Sequence, residues 1–496
     1  MQTVLSSQLS LSEWFEACYL EYNRIFPIET TETHVRVAVA GEPDPDVLAD
    51  LAHVFDRTVE LVPVGDEELT DAIRRAYADA ESIVEVLNDL QSEPNTTESG
   101  DRELADARDL ASQPPIIKYV NLLIKEAHDA RASDVHLEST ARGLRARFRV
   151  DGVLADAPAP PSQAQSAIVS RVKLLAELDI AERRAPQDGS FRIRLEAREL
   201  DIRVSTVPTL YGESVVLRLL DRGGEPVDLD ELGMSPETLQ QFRGIVARPT
   251  GIVIAAGPTG SGKTTTLYSA LSLRDTTAEK VITVEDPVEY HLPGVTQIPV
   301  NRKAGMTFAS ALRSVLRQDP DVMMVGEMRD PETAEVAVQA AMTGHLVFST
   351  LHTNDAPSAV TRLLDLQVAP YQIAATINCV LAQRLVRRVC PHCRDHYTPD
   401  PQVVAYISGL PKGQPRLIHG RGCDACRGTG YMGRVGIFEL FCVSESLNRA
   451  ISAREPLTRL RELAEDEGMR PMKNDGWVKV QAGITTVEEV LRVTAR

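Results

Sequence analysis

Gly257-Pro-Thr-Gly-Ser-Gly262-Lys263-Thr264 is a run whose residue types can hold phosphate. Glycines let successive backbone N–H groups turn inward toward phosphate oxygens, a lysine can reach the β- and γ-phosphates, and a hydroxyl can ligate Mg²⁺. The run follows the apolar segment Gly251–Ala256 and precedes the helix-forming Thr265–Leu271, so it reads as strand, phosphate loop and helix. Gly257, Pro258, Thr259, Gly260, Ser261, Gly262, Lys263, Thr264 and Thr265 are the candidate contacts for a nucleoside triphosphate.

Phosphoryl hydrolysis also needs a metal, an oriented water and positive charge around the transferring group. Glu285 and Asp286 end the apolar run that begins at Val281, and Glu327 ends the run that begins at Val322. A carboxylate just beyond a strand in a sheet of this kind is placed to hold Mg²⁺ or polarise water. Glu285 and Glu327 are the stronger candidates, and which of them activates water is open at this stage. A separate chemistry is written in Cys390-Pro-His-Cys393 and Cys423-Asp-Ala-Cys426. Each Cys-x-x-Cys makes a tight knuckle with two thiolates, and two knuckles complete a closed tetrahedral Zn²⁺ site, which is structural rather than catalytic. Cys18, Cys379 and Cys442 read as packed small residues.

These groups need a frame. Short apolar runs at Val281–Val284, Val322–Val325 and Leu346–Ser349, separated by helical patterns, predict a mainly parallel α/β sheet with ligands at the strand ends. Upstream, an amphipathic helix over Ile116–Asp129 leads into alternating strands around Val135–Leu137, Leu144–Val150, Arg192–Arg194, Asp201–Ser205 and Ser214–Arg218, with Asp151-Gly152 as a turn. That is an α+β domain over 114–226 with arginines at alternate positions. Strands at His34–Ala40 and Thr58–Pro63 and helices at Asp46–Phe55 and Glu67–Ala78 predict a small α/β module within 1–95, and the polar, acidic stretch 96–113 reads as a linker. The rest, 227–496, is assigned to the phosphate-loop domain, with a zinc-binding part at 386–430 and a helical part at 431–496.

At 496 residues the chain has room for three or four domains, and 43% hydrophobic with 25% charged residues is ordinary for a soluble protein. The 71 acidic against 53 basic side chains leave a formal charge of −18, which speaks against a globally basic nucleic-acid surface. No stretch approaches the ~20 apolar residues of a spanning helix and the start lacks a basic signal segment, so a cytoplasmic location is expected.

Four motifs together, Gly257–Thr264, Thr283–Tyr290, Leu312–Asp330 and Thr343–Asn354, resemble in order the Walker A, Asp box, Walker B and His box of the hexameric secretion ATPases. That family includes the type II secretion motor and the type IV pilus assembly and retraction motors. The resemblance implies a RecA-like ATPase domain preceded by a PAS-like α+β domain. It implies that Arg203 and Arg218 are arginine fingers of the second domain and that Arg313, Arg317, Arg329 and Arg434 lie near the nucleotide. It further implies that Glu285 is the best candidate for orienting or activating water, with Glu327 acting on metal or water, and that His345 and His352 couple nucleotide state to domain position. The tetracysteine insertion and the chain length are similar to type II secretion members, with pilus assembly members as the alternative. The implied partners are a homohexamer, the cytoplasmic domain of an inner-membrane secretion protein held by the amino-terminal module, and a polytopic platform protein at the same membrane, with no nucleic acid. Two other classes stay in view: a nucleic-acid translocating motor, which single-stranded DNA would stimulate, and a nucleotide-binding scaffold with little hydrolysis.

Overall fold

The computed structural model describes Leu20, residues 23–72 except 32, 42, 44, 56, 67 and 71, Leu87, Leu90, and 110–495 except 196–197, 222–225 and 400–415. The linker over 96–109, most of the helix expected at Glu67–Ala78, and Cys18 lie outside the described residues.

In the amino-terminal module β1 (Ile25–Thr30) pairs antiparallel with β2 (His34–Val39), and α1 (Pro45–Phe55) crosses over to β3 (Thr58–Pro63), which is parallel to β2. Phe26, Val35, Val37 and Leu51 form its core. The sequence reading found all of these elements except β1.

The middle domain places α2 (Pro114–Asp129) and α3 (Gln165–Leu175) against a six-stranded antiparallel sheet. Its strands are β4 (Ala132–Thr140), β5 (Gly143–Val150), β6 (Val153–Asp156), β7 (Gln187–Leu195), β8 (Arg198–Thr209) and β9 (Gly212–Asp221), in the order β6-β5-β4-β9-β8-β7. Alternation decides the two faces. In β5, Leu144, Ala146 and Phe148 are buried with the helices, while Arg145, Arg147 and Arg149 face away from them. The turn between β5 and β6 needs left-handed backbone at both residues, φ 50° at Asp151 and 84° at Gly152, which Asp-Gly supplies.

The third domain opens with α4 (Pro236–Val246), β10 (Gly251–Ala256), α5 (Lys263–Leu271), β11 (Val281–Glu285), β12 (Thr296–Pro299) and α6 (Phe308–Val315). It continues through β13 (Val322–Val325), α7 (Pro331–Met342), β14 (Leu346–Leu351), α8 (Ser358–Asp365), α9 (Pro370–Thr376) and β15 (Ile377–Val389). A ribbon of β16 (Arg394–Tyr397) and β17 (Leu417–Gly420) precedes β18 (Tyr431–Cys442) and the helices α10 (Glu445–Ser452), α11 (Leu457–Asp466), α12 (Met472–Gln481) and α13 (Val487–Thr494). The central sheet runs β12-β11-β13-β14-β10-β15-β18, parallel throughout except for β18. Every residue of β10, β11, β13 and β14 is buried, which explains why each reads as a mainly apolar run. Because these strands are parallel, the residues that follow them gather at one edge of the sheet.

Two expected boundaries move. Residues 386–389 belong to β15 and 431–442 to β18, so both are strands of the central sheet rather than parts of a zinc-binding or helical unit. The cysteine insertion occupies the space between them. Gln383, Arg384, Arg387 and Arg388 interrupt the apolar pattern of β15 and conceal it in the sequence.

The last helix is fastened by charge. The Glu489 carboxylate, 2% exposed, takes 2.7 Å bonds from Arg387 Nη2 and Arg492 Nη2 and a 2.9 Å bond from the Arg387 main-chain N–H. Burial opposes its ionisation, but these donors outweigh burial and bring its pKa down to about 2. A carboxylate depressed in this way stabilises the fold above its ordinary pKa, and the contribution is lost as pH falls toward the depressed value. Glu489→Gln is therefore expected to cost about 2–3 kcal/mol at pH 7. In chemical denaturation the gap between variant and parent should shrink as pH drops from about 4.5 toward about 2.

Candidate functional site

The phosphate loop follows β10 as the sequence predicts. Its apex, Pro258–Gly260, is exposed, whereas Gly257, Ser261 and Lys263 are buried. Gly262 takes φ 86° as it enters α5, and a Cβ on Gly257 would lie 2.5 Å from Ser261 Oγ, so neither position accepts a side chain without distortion. The Lys263 ammonium folds back into the loop and donates to Gly257 O and Pro258 O, each at 2.9 Å. Burial pushes its pKa down to about 8, the Glu327 carboxylate resists that shift, and the Arg384 guanidinium adds to it. Thr264 and Thr265, on the first turn of α5, are half-buried.

Around Lys263 the ends of β13 and β14 bring three sequence-predicted residues together. Arg329 Nε lies 2.5 Å and His352 Nε2 3.6 Å from Glu327 Oε2. Burial and the Lys263 charge lower the pKa of His352, which favours neutral imidazole. Glu327 thus stands at the open edge with a cation and an imidazole against its carboxylate, and in the field of Lys263. That arrangement can orient a water against a phosphate.

Glu285 is placed differently. It is 2% exposed, and both carboxylate oxygens are engaged: Oε2 by Tyr268 OH, Oε1 by Thr283 Oγ1 at 2.6 Å and Gln297 Nε2 at 3.1 Å. Tyr268 sits on α5, so this acid ties the phosphate-loop helix to β11 and β12. Burial, then the Glu285 carboxylate, keep the Tyr268 phenol protonated.

The histidines separate. Parallel pairing sets His345 O against Gly251 N at 3.1 Å, while Leu351 O meets Gly257 N at 3.1 Å. His345 therefore lies beside the start of β10, ~20 Å along the strand from the loop at ~3.3 Å per residue. Its ring Nδ1 lies 2.9 Å from Ala340 O and 3.1 Å from Thr343 Oγ1. A six-residue strand thus stands between the two histidines, although they share one sequence motif.

The arginines divide as well. Arg203 and Arg218 are directly opposed on β8 and β9, and Arg218 Nε donates to Asp134 Oδ1 at 3.0 Å. Both stand in the middle domain, and this pairing holds Arg218 within its own sheet. Arg313 pairs with Glu332 at 2.7 Å, and Arg317 Nη1 donates to Arg313 O at 2.9 Å. Arg434, near the start of β18, faces Asp151 of the middle-domain turn at 3.5 Å, and Gly433 N donates to the same carboxylate at 2.8 Å. Sequence reasoning passed over Asp134 and Asp151, whose signal lies in strand pairing and turn position rather than in any motif, and also Gln383 and Arg384.

The four cysteines converge. All four Sγ atoms lie within 4.8 Å of one another, with Cys390–Cys423 at 3.9 Å, Cys393–Cys426 at 3.8 Å and Cys423–Cys426 at 3.7 Å. A tetrahedron with ~2.3 Å metal–sulfur bonds has edges of ~3.8 Å, so the residues fit a Zn²⁺ ion. Burial opposes ionisation of Cys426, but N–H groups of Cys423 and Gly430, each 3.2 Å from its sulfur, outweigh burial and bring its pKa down to about 6.

A phosphate loop at the end of one buried parallel strand, with an acid beyond a strand two places away, defines a RecA-like P-loop nucleotide hydrolase. The chain belongs to the Type II/IV secretion system protein family, whose sequence pattern matches residues 109–492, and an MshEN domain matches residues 3–83. It is 48% identical over 436 residues, 88% of this chain and 89% of the relative, to type II secretion system protein HxcR of Pseudomonas aeruginosa. It is 42% identical over 457 residues, 90% of each chain, to type II secretion system ATPase E of Vibrio cholerae. It is 39% identical over 480 residues, 96% of this chain and 85% of the relative, to type IV pilus assembly ATPase PilB of Myxococcus xanthus. Among solved structures, the pilus retraction motor PilT with bound ADP matches with a TM-score of 0.51 and 27% identity over 75% of this chain and 96% of that one. The protein is accordingly a secretion ATPase, an enzyme that hydrolyses ATP.

One consequence of the Lys263 environment is measurable. Its depressed pKa means that the free site loses the ammonium as pH rises past about 8. Phosphate favours the charged form, so Mg·ATP binding at pH 8.5 is expected to take up as much as about three-quarters of a proton. Calorimetry in two buffers of different ionisation enthalpy reads this uptake, and affinity should fall as pH rises beyond about 8. Equal binding heats in both buffers at pH 8.5 would count against the assignment.

Proposed function

We propose that this ATPase works as a hexameric ring on the cytoplasmic side of an inner membrane, where it drives assembly of a pseudopilus for type II protein secretion. The identity to HxcR and to ATPase E over most of the chain supports the secretion reading. No helix among the described residues is long and apolar enough to cross a membrane, so attachment would run through partners. Residues 1–95 would dock on the cytoplasmic domain of an inner-membrane secretion protein, and a polytopic platform protein would receive the motion.

The observation that carries the mechanism is the division of charge between two domains. Lys263, Glu327 and His352 belong to the phosphate-loop domain, whereas Arg203 and Arg218 stand on the outer face of the middle-domain sheet. ATP takes the oxygens' place at Lys263, which releases Gly257 O and Pro258 O. Thr264 would hold Mg²⁺, which neutralises phosphate charge when bound. Glu327 orients the attacking water, with His352 and Arg329 fixing its carboxylate. Glu285, locked to Tyr268, Thr283 and Gln297, keeps α5 and the loop at the right height. The negative terminal phosphate draws Arg218 away from Asp134, and Arg203 with it, closing the middle domain on the nucleotide. Product release reverses the closure. His345, away from the loop of its own chain, would serve contacts between subunits, as would Arg313 and Arg317, and Arg434 would hold the domain hinge through Asp151.

The four cysteines would hold one structural Zn²⁺ with no open position. Zinc analysis should return one ion per chain, and Cys423→Ser should lose it and lower the thermal midpoint; full stability of the metal-free variant would count against a structural role.

Lys263→Ala is expected to abolish turnover. Arg218→Ala or Arg203→Ala should lower kcat by about 10³-fold, the lower end of the effect of an arginine finger. Nucleotide binding, followed with a fluorescent analogue, should change far less, and matched losses in both would refute closure by these arginines.

A further inference from the structure

Strand β15 borders the phosphate loop on the side away from β14. Two adjacent residues of β15 turn polar groups toward that loop and its surroundings. Gln383 is 1% exposed, and its Nε2 donates to Ser261 O at 2.8 Å. Its main-chain oxygen stands 2.7 Å from where a Cβ on Gly257 would fall. Gln383 Oε1 and Ser261 Oγ are both shut off from water with no hydrogen-bond partner, an arrangement unusual for a buried site with no ligand.

Arg384 comes next and projects from the opposite face of the strand. Its Nη2 donates to Asn354 O at 3.1 Å and lies 3.3 Å from Asn354 Oδ1, and its Nη1 donates to Gln383 O at 3.2 Å. All three partners are neutral oxygens. Burial disfavours this guanidinium's charge, with Asp355 and Glu439 supporting it from further off. Lys263, also bonded only to neutral main-chain oxygens, is destabilised by the same guanidinium. Two half-desolvated cations around one phosphate loop, each on neutral partners, form a receptor for a polyanion.

Asn354 follows His352 by two residues, which puts Arg384 on the loop that continues from the histidine beside Glu327. In loops of this type the lysine reaches the β- and γ-phosphates. The cation and carboxylate that both act on Lys263 thus flank the terminal end of the triphosphate. We propose that Arg384 binds the terminal phosphate of ATP and, through Asn354, reports its presence to the loop at 352–358.

That loop is wired to the carboxy-terminal helices. Asp355 Oδ1 accepts from Ser358 N at 2.9 Å at the start of α8, and Asp355 Oδ2 pairs with Arg461 of α11 at 2.9 Å. Ala356 N donates at 2.8 Å to the buried Glu439, which also accepts from Met472 N at the start of α12 at 3.1 Å. When Arg384 re-aims from Asn354 to phosphate, the loop loses two of its bonds to β15 and the three helices feel the change.

The inference rests on the ATPase reading, and the test separates the two. In full-length protein, Arg384→Gln is expected to weaken a fluorescent non-hydrolysable ATP analogue at least tenfold and fluorescent ADP less than threefold, with Arg384→Lys recovering analogue affinity to within threefold. Equal weakening of both nucleotides, or of neither, overturns the assignment. A parent protein that binds no nucleotide would instead sink the ATPase reading itself. Should Arg384→Gln fail to fold, amide exchange in the parent decides: the ATP analogue should alter exchange across 353–356 more than ADP does, and identical exchange overturns the proposal.

Discussion

A buried ammonium must always have oxygen beside it, and this requirement on Lys263 organises the ATPase domain. With no phosphate present the oxygens come from its own loop, Gly257 O and Pro258 O. The loop can fold that tightly only because glycine occupies its crowded and left-handed positions. The same lysine then fixes what else can stand nearby. Glu327 steadies its charge, Arg384 opposes it, and His352 is driven toward neutrality by it. A triphosphate there would offset the repulsion between Lys263 and Arg384 and the Lys263 charge felt by His352.

The two acids predicted for catalysis show how a strand end divides labour. Side chains two apart on a strand share a face, so Glu285 lies on the same side as Thr283 and is drawn down onto it and onto Tyr268. Glu327 comes two residues after the end of β13 and escapes that pull. One carboxylate holds the helix of the phosphate loop to the sheet, and the other stays at the open edge. Deep anchoring of Glu285 holds α5, and with it the loop that carries Lys263, against the sheet.

Much of this was legible in the chain. The phosphate loop, its strand and helix, the three further core strands and the Asp151-Gly152 turn follow from residue type and period, since buried parallel strands and left-handed turns leave strong marks. The cysteine spacing predicted a four-thiol cluster, and the sulfurs indeed come together. Other features leave no mark on a single segment. His345 and His352 look like one motif, but the strand between them sets them at opposite ends. Arg384 carries no motif of its own, and only the fold shows that it meets Asn354. Asp134 became visible once strand pairing laid it across from Arg218.

β18 is anchored at both ends. Near its start Gly433 and Arg434 grip the middle domain through Asp151, and near its other end Glu439 grips the starts of two segments beyond the sheet. An extended backbone is already close to its full length and cannot be drawn out further. It can therefore carry a displacement at Asp151 along its length to Glu439.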